Sequence, residues 1–251
     1  QNQLLNKIIH DYEATAMELL GLLENLSKKG RLQSIMQGRH DTAIGRTIEY
    51  ALGIPINSSP FPDYKGIELK AGRLNNASNR TNLFAQVPDW SISTLKSSKE
   101  IVDKYGYERG EDLKLYCTIK THTYNSQGLG FEVDFEQDQL NELHITDGPV
   151  VSWLGNTLRT KLLEKHRETF WIKANSDMEN SDEFFTLKSI THTKNPVSSQ
   201  FLVLLEQGII TMDHLIKRKD KTGKTSEKGP LFKIKPEHLS LIFPEPKHYN
   251  L

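Results

Sequence analysis

The sequence predicts an α/β fold with a mixed central sheet flanked by helices. Three observations carry this expectation. Apolar residues recur at helical spacing at the start of the chain and again later. Short runs rich in Val, Ile, Phe, Tyr and Thr lie between those stretches. The two kinds follow one another without the strict βαβ rhythm of a wholly parallel sheet. At 251 residues the chain suffices for one large domain or two smaller lobes around a shared core.

In chain order, Leu4, Leu5, Ile8, Ile9 and Tyr12, then Met17, Leu20 and Leu23, keep helical spacing, so residues 2–28 read as helix with Gly30 as the stop. AIGRTIEYAL predicts a helix over 43–52, closed by Gly53 and Pro55. The loop NSSPFP leads into a strand from about 65 to 71. Further strands are expected at LFAQV (83–87), LKLYCTIKTHT (113–123), LGFEVDF (129–135), ETFWIKA (168–174), EFFTLKSI (183–190), and as a pair near 209–217 and 231–235. Helices are expected over 95–104, 156–166 and 197–207. GEDLK near 110 and NSDMENSDE at 175–183 look most like linkers.

Composition narrows the class. Hydrophobic residues are 36% and charged residues 25%, as in a soluble globular protein. There is no apolar run of about 18 residues, so no membrane span or membrane partner is expected. The start, QNQLLNKIIHDYE, lacks a signal-peptide layout and an initiator methionine, so the chain is expected to be trimmed or cut from a longer one. A single cysteine, Cys117 in the apolar run LYCTIK, excludes an internal disulfide and suits a reducing cytoplasm; it reads as buried filler. Formal net charge is zero, yet residues 213–235 hold eight Lys/Arg and three Asp/Glu, a local balance of +5. A focused basic strip on a neutral protein suits a polyanion.

The densest chemistry lies in PDYKGIELK, residues 62–70. In a strand, Ile67 and Leu69 face one way and Glu68 and Lys70 the other, about 7 Å apart along that face. Pro62 and Gly66 allow a turn that folds Asp63 back beside Glu68. Two carboxylates so close repel unless a cation sits between them. A hard divalent ion with oxygen ligands, Mg²⁺, takes one or two carboxylates and keeps several waters. Such an ion stabilises charge on a phosphate and activates water, and Lys70 would orient or help deprotonate that water. The arrangement suits metal-assisted phosphodiester hydrolysis. Glu49, at the edge of the apolar stripe of the 43–52 helix, is expected to point toward the metal. Asp112-Leu113-Lys114, with Asp103 upstream, is a weaker rival that opens a strand rather than sitting within one.

The run TAIGRTIEYALGIPIN…FPDYKGIELKAGR resembles the PD-(D/E)xK nucleases, specifically the branch of MutH and the MvaI/BcnI restriction endonucleases. The likeness is dense from Thr42 to Arg73. It continues through LFAQVPDW, WIKANSD, LLEQGIITMDHLI and KTGKTSEKGPLFKIKPEHL. It implies a restriction-endonuclease-like fold whose two lobes clamp DNA, a catalytic lobe of about 30–150 and a recognition lobe of about 151–251. It also implies a type II restriction enzyme that cuts double-stranded DNA with Mg²⁺, leaving 5′-phosphate and 3′-hydroxyl ends. Carried across, Asp63, Glu68 and Leu69 become metal ligands, Lys70 the catalytic lysine and Glu49 an auxiliary catalytic acid. The resemblance further implies a monomer and a companion DNA methyltransferase acting on the same site. One departure concerns the C-terminal loop, where the family pattern carries His-x-His before a Gly and then an Arg. Here Ser226-Glu227-Lys228, Gly229 and Lys233 stand in those places, which leaves the target sequence open.

DNA contacts follow from residue types that bond phosphates or base edges. After the catalytic strand come Arg73, Asn75, Asn76, Arg80 and Asn82. The C-terminal strip offers Asp213, Lys217, Arg218, Lys219, Lys221, Lys224, Lys228 and Lys233. His122, Tyr124, Asn125 and Gln127 form a lesser candidate. His144, His166, His192 and His214 lack metal-ligand spacing and read as structural. The other readings are a MutH-like strand nickase and a DNA-binding module with an idle centre. A metabolic enzyme is disfavoured by the lack of a Gly-rich phosphate loop, nucleophile elbow or zinc pattern.

Overall fold

The computed structural model describes residues 2–55, 62–74, 80–219 and 222–251, with the main chain alone for residues 2 and 5–12. Along the chain run α1 (Asn2–Lys28), β1 (Leu32–Gln33), α2 (Ala43–Ala51), β2 (Glu68–Arg73), β3 (Thr81–Ala85), α3 (Ser98–Tyr105), β4 (Tyr107–Arg109) and β5 (Asp112–Ile119). Then come β6 (Leu129–Asp134), β7 (Gln139–His144), β8 (Gly148–Leu154), α4 (Gly155–His166), β9 (Glu168–Glu179) and β10 (Asp182–Lys194). The chain ends with α5 (Gln200–Glu206), β11 (Ile210–Lys219), β12 (Thr225–Glu227), β13 (Leu231–Ile234), a 3-10 turn (Pro236–Leu241) and β14 (Lys247–Asn250). The expected mixed α/β class holds. Among the described residues no helix is long and apolar enough to cross a membrane.

The chain forms two compact units, and their boundaries differ from the expected division near residue 150. One unit comprises Gln1–Asn79, Lys165–Asn195 and Glu245–Leu251; the other comprises Arg80–Glu164 and Pro196–Pro244. The reason is strand pairing at long range. β9 pairs parallel with β2, from Glu68 opposite Thr169 to Arg73 opposite Ala174, which returns residues after 165 to the first unit. A parallel pair needs a long crossover, and no local pattern announces its partner.

In the first unit the strand order is β1-β10-β9-β2, with β14 also on β10. Alternation sorts β2 as expected: Ile67 and Leu69 are buried in a core shared with Leu19 and Leu23 of α1, Ile44 and Ile48 of α2, and Phe170 and Ile172 of β9. The stretch 175–183 is no linker. It is the tip of the β9–β10 hairpin, paired through Glu179 and Asp182, with Asn180 and Ser181 both at positive φ. That geometry suits the right-handed twist of a tight hairpin, and Asn and Ser tolerate it.

The second unit holds a six-stranded sheet, β3-β13-β11-β5-β4 with β12 on β11, and a three-stranded sheet, β6-β7-β8. GEDLK near 110 is also a hairpin turn, joining Arg109 to Asp112 across Gly110 at φ 68. The core centres on Phe84, Phe201 and Phe232, with ring centroids 5.3 to 5.8 Å apart. Trp153 meets Phe232 edge-on, and its indole N–H donates to the Gln86 carbonyl at 2.9 Å. Each buried ring contributes roughly 1.5–3 kcal/mol by leaving water.

Candidate active site

The site begins with a turn. Tyr64 and Ile67 exchange backbone hydrogen bonds of 2.9 and 2.8 Å across Lys65 and Gly66, which lie at φ 46 and 90. Positive φ at both central residues is the two-residue turn whose twist matches the strands it joins. Glu18 of α1 anchors it, accepting from Tyr64 Oη at 2.8 Å and from Lys65 Nζ at 2.8 and 2.9 Å. The turn folds Asp63 back onto β2, where its Oδ2 accepts from the Leu69 N–H at 2.9 Å.

On the opposite face from Ile67 and Leu69, Glu68 and Lys70 meet, with Lys70 Nζ 2.8 Å from Glu68 Oε1. Glu68 is almost wholly buried, its side chain 2% exposed. A second ammonium, that of Lys165 at the end of α4, lies 3.2 Å from Glu68 Oε2. Burial pushes the Glu68 carboxyl up, but the charges of Lys70, Lys165 and His166 hold it below the usual range. Asp63 behaves oppositely: burial and then the Glu68 charge push it up, against the Leu69 hydrogen bond and the two lysines. Glu49 of α2, half-buried, is likewise raised, by burial first and then by the charges of Asp63 and Glu68. Asp63, Glu68, Lys70 and Glu49 thus share one electrostatic neighbourhood.

β9 continues the same face. His166 stacks on Trp171 at 5.1 Å and 13°, its Nδ1 is 2.8 Å from Thr169 Oγ1, and the Trp171 indole donates to Thr193 Oγ1 at 2.8 Å. Lys173, opposite Gly72, is partly buried, and that burial lowers its pKa. Sequence reasoning missed Lys165. It sits in the last turn of a helix, where a lysine reads as a partner for the helix dipole, and 97 residues separate it from Glu68.

Three carboxylates pressing on one another fit a hard cation. Among the described residues no three His, Cys, Asp or Glu side chains are gathered closely enough to cage a metal alone. Mg²⁺ does not require such a cage, since one or two carboxylates and retained waters suffice. Asp63 and Glu68 have the right chemistry; Leu69, its side chain in the core, would offer only its carbonyl.

The expected DNA contacts are not all placed alike. Arg73, expected at DNA, is paired within the first unit. Its Nε and Nη2 each lie 2.6 Å from the buried Glu183 carboxylate, and Nη2 also donates to the His40 carbonyl at 2.8 Å. That guanidinium serves the first unit's interior. Asn75, Asn76 and Lys221 lie outside the described residues.

In the second unit, β11 alternates buried Met212, His214 and Ile216 with Thr211, Asp213, Lys217 and Lys219 on the other face. On that other face Asp213 binds the Arg80 guanidinium at 2.9 and 3.1 Å, Lys233 at 2.8 Å and the Thr118 hydroxyl at 2.7 Å. Lys217 pairs with Asp112 at 2.7 Å. Asn82, Lys219, Lys224 and Lys228 are exposed. Alternation turns Arg218 to the α3 side, where Nη1 lies 2.6 Å from Asp103. These pairings also engage the acids of the rival Asp103/Asp112/Lys114 cluster.

Of the histidines, His192 is buried against Glu168 at 2.8 Å and His214 against Glu142 at 2.9 Å, while His144 stacks on Tyr105 at 4.8 Å. Burial and the nearby Glu142 charge push the Cys117 thiol up to about 12, far from a reactive thiolate. Asn125 is engaged in its own turn, its side-chain oxygen accepting from the backbone of Gln127 and Leu129 at 2.9 and 3.0 Å.

No curated protein matches the chain. Among solved structures, a restriction endonuclease MvaI–cognate DNA substrate complex matches with a TM-score of 0.78 and 21% identity, over 92% of this chain and 96% of that one. Restriction endonuclease MvaI in the absence of DNA matches with a TM-score of 0.53 and 21% identity, over 93% and 97%. These likenesses show the fold. The model of the MvaI/BcnI restriction endonuclease family matches residues 20–243, a span that takes in both units and the whole carboxylate–lysine cluster. The chain is a member of the MvaI/BcnI family of type II restriction endonucleases.

Proposed function

We propose that this restriction endonuclease hydrolyses phosphodiester bonds of double-stranded DNA with a divalent cation, Mg²⁺ in the first instance, at the cluster of Asp63, Glu68 and Lys70. The observation that supports this reading is the turn at Lys65-Gly66, which brings Asp63 onto the strand that carries Glu68 and Lys70. Asp63, Glu68 and the Leu69 carbonyl would hold the ion, which stabilises charge on the phosphate and lowers the pKa of a bound water. Lys70, steadied by Glu68, holds a positive charge beside the attacking water and orients it. Glu49 adds its charge from α2. The products are 5′-phosphate and 3′-hydroxyl ends, and the enzyme acts as a monomer beside a methyltransferase that protects the same site. Double-stranded DNA as the partner accords with the solved complex of MvaI with its cognate DNA substrate.

The test is a plasmid digest with and without Mg²⁺, followed by sequencing of the fragment ends. Double-strand breaks at one short sequence support the reading. Nicks alone would favour the strand-nickase alternative, and uncut plasmid under all metals would favour an idle centre. Asp63→Ala and Lys70→Ala are expected to lower cleavage by at least about 10²–10⁴-fold while DNA binding persists. A fully active Lys70→Ala enzyme would move the chemistry elsewhere.

A further inference from the structure

Glu68 is held in an unusual way. Its buried carboxylate has one ammonium on each oxygen, Lys70 on Oε1 at 2.8 Å and Lys165 on Oε2 at 3.2 Å. The two lysines are not equivalent. Lys70 is fixed by strand geometry, two positions along β2 on the same face. Lys165 reaches in from the last turn of α4 at the longer of the two distances, and the two side chains are similarly covered, 19% exposed against 26% for Lys70. A cation shared by Asp63 and Glu68 needs a Glu68 oxygen, and both are engaged. The Lys165 ammonium competes with such an ion for Glu68 Oε2.

Charge points the same way. An ammonium 3.2 Å from Glu68 Oε2 repels a divalent ion that bonds the same carboxylate, so each weakens the other's hold on Glu68.

We propose that Lys165 is a resident counter-cation of Glu68, which a divalent metal must displace before the nuclease site is loaded. This rests on the reading of Asp63 and Glu68 as metal ligands. Lys165 thereby acts as a positioning residue. Without a metal it keeps Glu68 paired and in place, and it weakens binding of a stray ion to the DNA-free enzyme.

The experiment is calorimetric titration of Mn²⁺ into the full chain without DNA, for wild type, Lys165→Met, Lys165→Arg and Glu68→Gln. Lys165→Met is expected to bind Mn²⁺ about tenfold more tightly than wild type, since a competing charge at contact distance is gone. It should also melt at a lower temperature in EDTA and recover more on adding Mn²⁺. Lys165→Arg, which keeps the charge, should stay close to wild type. Should the methionine variant fold poorly, Lys165→Gln is expected to show the same tightening. Equal or weaker Mn²⁺ binding in the neutral variants, with Glu68→Gln still abolishing binding, would overturn the proposal and leave the metal site intact. Unchanged Mn²⁺ binding in Glu68→Gln would instead overturn the metal-site reading itself.

Discussion

At the scale of single residues, the same side-chain chemistry divides into two uses according to burial. Arg73 and Lys70 are close in β2, and the sequence offers both as DNA-facing or catalytic cations. Lys70 is partly open beside Glu68; Arg73 is 10% exposed and bonded to a Glu183 side chain with no exposure at all. Arg73→Ala should therefore leave a carboxylate buried and uncompensated, destabilising the fold by about 3–5 kcal/mol. Denaturant unfolding checks the loss, and the folded fraction should bind DNA with unchanged salt dependence. What was legible here was the placing of Asp63 beside Glu68 and Lys70, because an alternating strand and the punctuation by Pro62 and Gly66 are local signals. Lys165 was not legible, since a residue 97 positions away enters the site only through the return of β9 to β2.

At the scale of elements, the long periodic segments α1, α2, α4 and β11 were read from sequence close to their true extents, while β9 runs five residues past its expected end. β7 and β8 were missed. QLNELH is short and mostly polar, and its strand character comes from pairing with β6 and β8, not from its own propensity. The hairpin tips at 110 and 180 read as linkers because Gly, Asn, Asp and Ser mark both tight turns and loose chain. Such turns can be tested one against another. Gly229 lies at φ 84, and a Cβ there would come within 2.6 Å of the Ala85 side chain on β3; at Gly223, φ 63, a Cβ would meet nothing within 4 Å among the described residues. Gly223→Ala should cost about 1–2 kcal/mol for the left-handed backbone alone. Gly229→Ala should cost about 1–3 kcal/mol more from the clash. Paired melting curves read the difference directly, and equal losses would mean that β3 and β13 yield to the added methyl.

At the scale of the whole molecule, charge distribution matters more than the zero net charge. The strip from Asp213 to Lys235 divides by strand alternation. Lys217 and Lys219 share a face with the Arg80–Asp213–Lys233 cluster, while Arg218 turns to α3. Replacing Lys217 and Lys219 with Gln should lower the salt slope of DNA binding by about 1–2, at roughly 0.9 per phosphate contact. Arg218→Gln should leave that slope alone, and fluorescence anisotropy over a salt series separates the cases. Global stability has a pH dependence of its own. Burial alone would lower the pKa of His214, but the charge and hydrogen bond of Glu142, together with the charges of Glu227 and Asp213, outweigh it and raise the imidazole above its usual range. A raised folded-state pKa stabilises fully below the unfolded value of about 6.5, and the benefit fades as pH climbs through the folded one. The melting temperature should thus decline on the alkaline side, and Glu142→Gln should flatten that decline.

The Asp63–Leu69 hydrogen bond has a consequence outside catalysis. Among the described residues β2 has a single strand neighbour, β9, so the main-chain groups of its far rim are not paired with another strand. The Asp63 carboxylate plugs one of those amides and puts a charge on the rim, a familiar guard against strand-on-strand aggregation. An alanine here would remove chemistry and guard together. Asp63→Asn, which keeps a carbonyl for the Leu69 amide, should stay monodisperse in light scattering at concentrations where the alanine form begins to clump.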